Sequence, residues 1–211
     1  MGNSYMYPVL RTPDLAEAYA LAQRLLRLAN QVDEVEVWAT TTGPALHRYT
    51  SLTEAGLSAQ TPASRSAEMI AALGTLLPDP DRRLSRGRDT LWAHRLDVRA
   101  AEPLRHLDDV RIDLFVMRAV PGAVEERFLA AVGSDVGSVY WDVEWPEVDE
   151  LDLDLCVKYA GVEITVNSAE PFEERYSGDH TVWIHTRADE RAQWLAERAG
   201  AKVLGPWVLG R

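Results

Sequence analysis

The residues with the clearest chemical potential are two carboxylates spaced two positions apart. In Glu150-Leu151-Asp152-Leu153-Asp154-Leu155 the leucine–carboxylate alternation predicts a strand. Period two places Asp152 and Asp154 on one face and the leucines on the other. A carboxylate pair of this kind holds a divalent cation in metal-assisted transfer chemistry. Glu163, in the next expected strand, is a third acid for such a site, and His185 is the other side chain able to serve. Together they define one expectation, a small-ligand or divalent-metal-dependent enzyme.

A second constellation is broader. Glu34 and Glu36, Asp142 and Glu144, and Asp152 and Asp154 all fall on the polar side of alternating segments, with Trp38, Tyr140, Trp141 and Trp145 close in sequence. If these strands are neighbours, one sheet face is strongly acidic and carries aromatic anchors, a composition suited to a basic protein surface. The binding expectation therefore rests on Glu34, Glu36, Trp38, Asp142, Glu144, Trp145, Asp152 and Asp154.

Other chemistries find less support. His180 and His185 are five apart, so one strand would point them to opposite faces. His94 alternates with Trp92, Leu96 and Val98 and is expected in the core, while His47 and His106 lack a partner at diagnostic spacing. Arg82, Arg83, Arg86 and Arg88 form a basic patch, but Asp79, Asp81 and Asp89 bracket and offset it. Neither a Walker sequence nor a Rossmann fingerprint occurs. No cofactor is implied.

Composition narrows the classes further. The chain has 211 residues, 46% hydrophobic and 26% charged, which suits a globular protein able to bury a substantial core. No apolar run approaches the roughly 18 residues of a spanning helix. The opening Met-Gly-Asn-Ser-Tyr-Met-Tyr lacks a signal-peptide pattern, and Met6 occupies the position where myristoylation favours Ser or Thr. A single cysteine, Cys156, removes any internal disulfide and points to a reducing, cytoplasmic setting. The abundance of Ala, Arg, Leu, Asp and Glu suggests a bacterial source. With 33 acidic and 22 basic residues the net charge is -11, a field that repels nucleic acid and favours cationic partners.

The same short unit opens and closes the chain. Val9-Leu10-Arg11-Thr12-Pro13-Asp14 leads to Ala18, Leu21, Ala22 and Arg24; Trp183-Ile184-His185-Thr186-Arg187-Ala188 leads to Ala192, Leu195, Ala196 and Arg198. Thr12 and Thr186 are expected helix caps, and the shared register suggests two similar halves, 1–77 and 90–211, joined by a loop at 78–89. Between them, strands are expected at 34–39, 45–52, 90–99, 110–120, 136–145, 151–159 and 161–167. Helices are expected from Thr61 to Leu77 and from Pro121 to Gly133, and a final strand at 201–209. This order predicts one α+β domain, a mostly antiparallel sheet with helices on one face.

Two family likenesses are partial. Gly137-Ser138 with Asp152, Asp154 and Glu163 superficially resembles the nucleotidyltransferase pattern, but Val-Tyr-Trp-Asp-Val-Glu-Trp-Pro stands where that family places a helix. The closing segment Ala199-Gly200-Ala201-Lys202-Val203-Leu204-Gly205-Pro206 is similar to the opening of a vicinal oxygen chelate module, which implies a metal held by His and Glu on inward strands. The opening strand here carries no His. Neither likeness is adopted. The leading expectation is a non-catalytic acidic protein that inhibits a basic partner by occlusion, as an immunity protein or antitoxin does. The metal-dependent or small-ligand enzyme is the alternative.

Overall fold

The computed structural model describes residues 5–53, 55–73, 84–171 and 175–210 and has an α+β fold. Its strands are β1 (Tyr5–Thr12), β2 (Gln31–Thr42), β3 (Gly56–Pro62), β4 (Leu84–Arg86), β5 (Thr90–Asp97), β6 (Arg111–Ala119), β7 (Val136–Glu144), β8 (Gly161–Val166), β9 (His180–Thr186) and β10 (Val208–Leu209). The α-helices are α1 (Leu15–Leu26), α2 (Ser66–Leu73), α3 (Ala123–Val132) and α4 (Asp189–Arg198). They form two compact units built from interleaved stretches: Met1–Val37, Arg118–Glu125 and Val136–Arg211 in the first, Trp38–Met117 and Glu126–Asp135 in the second. β2 passes from one to the other; of the loop expected at 78–89, residues 78–83 lie outside the described residues and 84–86 form β4 of the second.

In the first unit the strand order is β10-β1-β9-β8-β7, with antiparallel pairing throughout. Its register gives the two faces different chemistry. Tyr7, Ile184, Val162 and Trp141 form one cross-strand row, and Pro8, Trp183, Glu163 and Tyr140 form a row on the reverse face. Both helices cover the first face: the Tyr19 ring of α1 lies 6.3 Å from that of Trp141, and Tyr7 donates from its hydroxyl to Asp189 at the start of α4. α1 buries Ala18, Leu21, Ala22 and Leu25, the stripe its 3.6-residue period dictates. Each leucine removed from water in this way contributes about 1.5–3 kcal/mol.

The repeated unit acquires a physical form here. β1 and β9 are antiparallel neighbours, Thr12 opposite His180 and Tyr5 opposite Thr186. Thr12 and Thr186 do not cap their helices. Each hydroxyl instead accepts from the backbone N–H two residues on, that of Asp14 or Ala188, and so turns the chain from strand to helix. The cap of α1 is Asp14, whose carboxylate accepts from the N–H groups of Ala16 and Glu17, worth about 1 kcal/mol. α4 starts after Ala188 with no side-chain cap. β10 pairs only with Tyr5 and Met6, and Pro8, which has no N–H to offer, stands just beyond that pairing on β1.

The second unit orders its strands β6-β3-β5-β4, again antiparallel, over Leu57, Ala59, Leu91, Ala93, Ile112 and Leu114. Several expectations change here. Residues 45–52 are not a strand: Pro44–Tyr49 is a 3-10 turn that buries Leu46 and Tyr49, three apart. The helix expected from Thr61 begins later: β3 runs to Pro62, and α2, from Ser66, buries Met69 and Leu73 and leaves Ala67 and Ala71 exposed; residues 74–77 of the expected helix lie outside the described residues. His94 is exposed, its Nε2 2.9 Å from the Ser85 hydroxyl, because a bulge in the β3–β5 pairing moves Leu96 to the buried side and leaves His94 out. Gly133 ends α3 at φ +54, a left-handed conformation that favours glycine, beside Arg48, which pairs with Asp135 at 2.6 Å and whose guanidinium a Cβ there would displace. Arg82 and Arg83 of the basic patch lie outside the described residues, and Arg86 and Arg88 are exposed.

Candidate functional site

The largest departure from the sequence expectation is at residues 145–157. No strand runs from 151 to 159. After β7 the chain makes a narrow hairpin held by two isolated bridges, Trp145 with Cys156 and Val148 with Leu153. A 3-10 turn at Asp149–Leu151 reverses it, closed by Asp152 in the left-handed conformation at φ 53, which aspartate tolerates better than most residues. Asp152 and Asp154 are exposed on this hairpin and do not belong to a sheet face. Among the described residues no group of three His, Cys, Asp or Glu is placed to hold a metal ion.

Of the three expected acidic pairs, two lie on neighbouring strands, and Glu34 approaches Asp142. β2 lies beside β7 in the strand order. Val35 and Val37 are buried, so Glu34 and Glu36 take the half-exposed side of β2; Asp142 and Glu144 take the half-exposed side of β7. Asn30 Nδ2 donates to Glu144 Oε1 at 3.3 Å, and the only cation paired with Glu34 among the described residues is Arg118 at 3.8 Å, itself largely exposed. Partial burial pushes the Asp142 carboxyl above its ordinary range, and the nearby Asp33 and Glu34 charges push it further; the Tyr140 hydroxyl, donating at 3.4 Å, opposes this. Trp38 is half-exposed in the second unit's part of β2.

A raised carboxyl in the native state has a defined consequence. Between the unfolded and folded pKa values the native protein binds more protons, so stability falls as pH rises through that window, and at neutral pH ionised Asp142 opposes folding. Asp142→Asn is therefore expected to raise the melting temperature at pH 7. The gain should shrink to nothing once acid protonates the carboxyl in both states. Melting curves of the two proteins from pH 3 to 8 check this; a variant less stable at pH 7 would contradict the crowding.

Trp145 is not a surface anchor. It is 0% exposed, and its indole N–H donates to the His185 carbonyl at 2.9 Å. The expectation failed because a Trp in an acidic stretch reads equally as anchor or core; here it seals the base of the hairpin. Behind it, on the face opposite the helices, lies a cluster the acidic-face reading omitted. His185 Nε2 and Glu163 Oε2 are 3.0 Å apart, and the Tyr140 ring meets the His185 ring edge-on at 5.1 Å. Gly161 makes this possible, since a Cβ there would strike the Tyr140 ring at 2.5 Å. His185 and Glu163 are 1% and 2% exposed, so in this conformation no substrate reaches the pair. The sequence signal was an ionisable residue within each of two fully buried strands, Glu163 in β8 and His185 in β9.

One groove of about 280 Å³ runs beside β1, lined by Pro8, Trp183, Leu204 and Val208. Arg11 and Glu170 at its rim pair with each other at 3.3 Å, which leaves little uncompensated charge to select a ligand. No helix among the described residues is long and apolar enough to cross a membrane. No protein-family model, curated protein or solved structure matches the chain.

Proposed function

We propose that the protein is a non-catalytic acidic binding protein that occludes a basic protein partner, in the manner of an immunity protein or antitoxin. The observation that carries this reading is the approach of Glu34 and Asp33 to Asp142 across the neighbouring strands β2 and β7, with Glu36 and Glu144 on the half-exposed sides of the same two strands. Burial raises the Asp142 carboxyl most, and the Asp33 and Glu34 charges add to it; a cationic partner offsets that added repulsion on binding. The net charge of -11 extends the field beyond the face and steers the encounter. A cytoplasmic, bacterial setting agrees with the lone Cys156 and the composition.

The test is affinity capture from the native host with two baits, the natural protein and a Glu34→Lys, Glu36→Lys, Asp142→Lys variant. The expected result is a basic protein held by the first and lost by the second. Retention of the same protein by both, or capture of none, overturns the reading.

A further inference from the structure

We propose that the 145–157 hairpin is the anchor of this interaction, a preformed apolar finger that enters a cleft rimmed by Lys and Arg on the partner. The inference rests on the acidic-binding reading and adds the contact element, which the buried Trp145 cannot supply.

Three observations converge on the hairpin. First, Leu151, Leu155 and Val157 are 36%, 41% and 54% exposed on one short excursion, a concentration of apolar side chains that solvent alone does not favour. Second, the excursion is fixed. Arg191 of α4, itself 3% exposed, donates to the carbonyls of Pro146 and Asp154, one on each arm. Glu150 near the tip accepts from the Trp194 indole at 2.8 Å and from Arg198 at 3.3 Å. Burying a guanidinium to tie two loop carbonyls is an expensive way to hold an idle loop. It is an effective way to present leucines in one geometry, because a preorganised element loses little entropy on binding.

Third, every charged residue within 145–157 is acidic. Glu147, Asp149, Asp152 and Asp154 are exposed, and Asp149, Asp152 and Asp154 make no ion pair among the described residues. Apolar side chains set among carboxylates, from the turn at Leu151 to the base at Val157, fit an apolar cleft with a cationic rim. They do not fit a second copy of this chain, whose own charge is -11. The leucine–carboxylate alternation that reads as a metal-binding strand in the sequence is here an amphipathic recognition element.

The test uses the whole protein, isotope-labelled for amide resonances, and two synthetic peptides: one of Lys and Gly, the other with the same Lys content and Leu at alternate positions. The Lys/Leu peptide should shift resonances at 147–157 and bind at least about tenfold more weakly to a Leu151→Ser, Leu155→Ser, Val157→Ser variant. The Lys/Gly peptide should shift the carboxylate-bearing residues of β2, β7 and the hairpin without a preference for the leucines, and bind natural protein and variant equally. All three substitutions are at exposed positions, and an unchanged melting temperature verifies the fold. If the Lys/Leu peptide binds the serine variant as tightly as the natural protein, the anchor is overturned and the acidic face stands. If neither peptide binds, both fall.

Discussion

Trp145→Ala is expected to cost about 3–5 kcal/mol of folding stability and to act there before it acts on any association. The ring is fully buried, donates to the His185 carbonyl, and belongs to a residue whose backbone pairs with Cys156 at 2.9 and 3.1 Å. Truncation removes a large apolar surface, leaves a cavity and strands a carbonyl in the sheet interior. Urea unfolding should show the midpoint falling with little change in the slope, the mark of lost stability rather than an altered denatured state. The hairpin should loosen as well, visible as faster amide exchange at Cys156. A loss below about 1 kcal/mol would mean that the ring is an exposed anchor after all.

The second large effect is expected at the Glu163–His185 pair. Replacing His185 by Leu leaves the Glu163 carboxyl deep in the sheet without its imidazole partner, for an expected loss of about 3–5 kcal/mol. Replacing both residues by Leu should cost much less than the two single changes added, since apolar groups of similar volume need no partner. The double-mutant cycle, measured by chemical denaturation at one pH, gives the coupling directly. Additive losses would show that each residue is held by its other neighbours and that the pair contributes nothing of its own.

How much of this was legible in the sequence follows from what each residue signals. Val35, Val37 and Ala39 alternate with Glu34, Glu36 and Trp38, and β2 lies where that alternation places it. The Thr12 and Thr186 register was legible, but not that both hydroxyls turn the chain instead of capping the helix. β3 was hidden because Ser58, Ala59 and Gln60 carry weak strand preference and gain their place from pairing with β5 and β6. The 151–159 stretch has the period of a strand but pairs only at the isolated bridges of Leu153 and Cys156. Period alone cannot separate a sheet face from an exposed hairpin whose leucines have no core to enter. Glu163 and His185 were visible as ionisable residues in strand-like segments, but their meeting depends on a register that pairs Gly161 with His185 and Glu163 with Trp183.

The central claim is that carboxylates on this chain draw in a basic partner, and association kinetics test it most directly. With the captured partner in hand, the association rate constant is measured by stopped flow from about 10 mM to about 150 mM salt, over which the Debye length shortens from roughly 30 Å to roughly 8 Å. The account predicts a fall of about tenfold or more across that range and a comparable slowing at low salt on charge reversal at Glu36, Asp142, Asp152 and Asp154, with dissociation much less affected. An association rate indifferent to salt and to these reversals would contradict it.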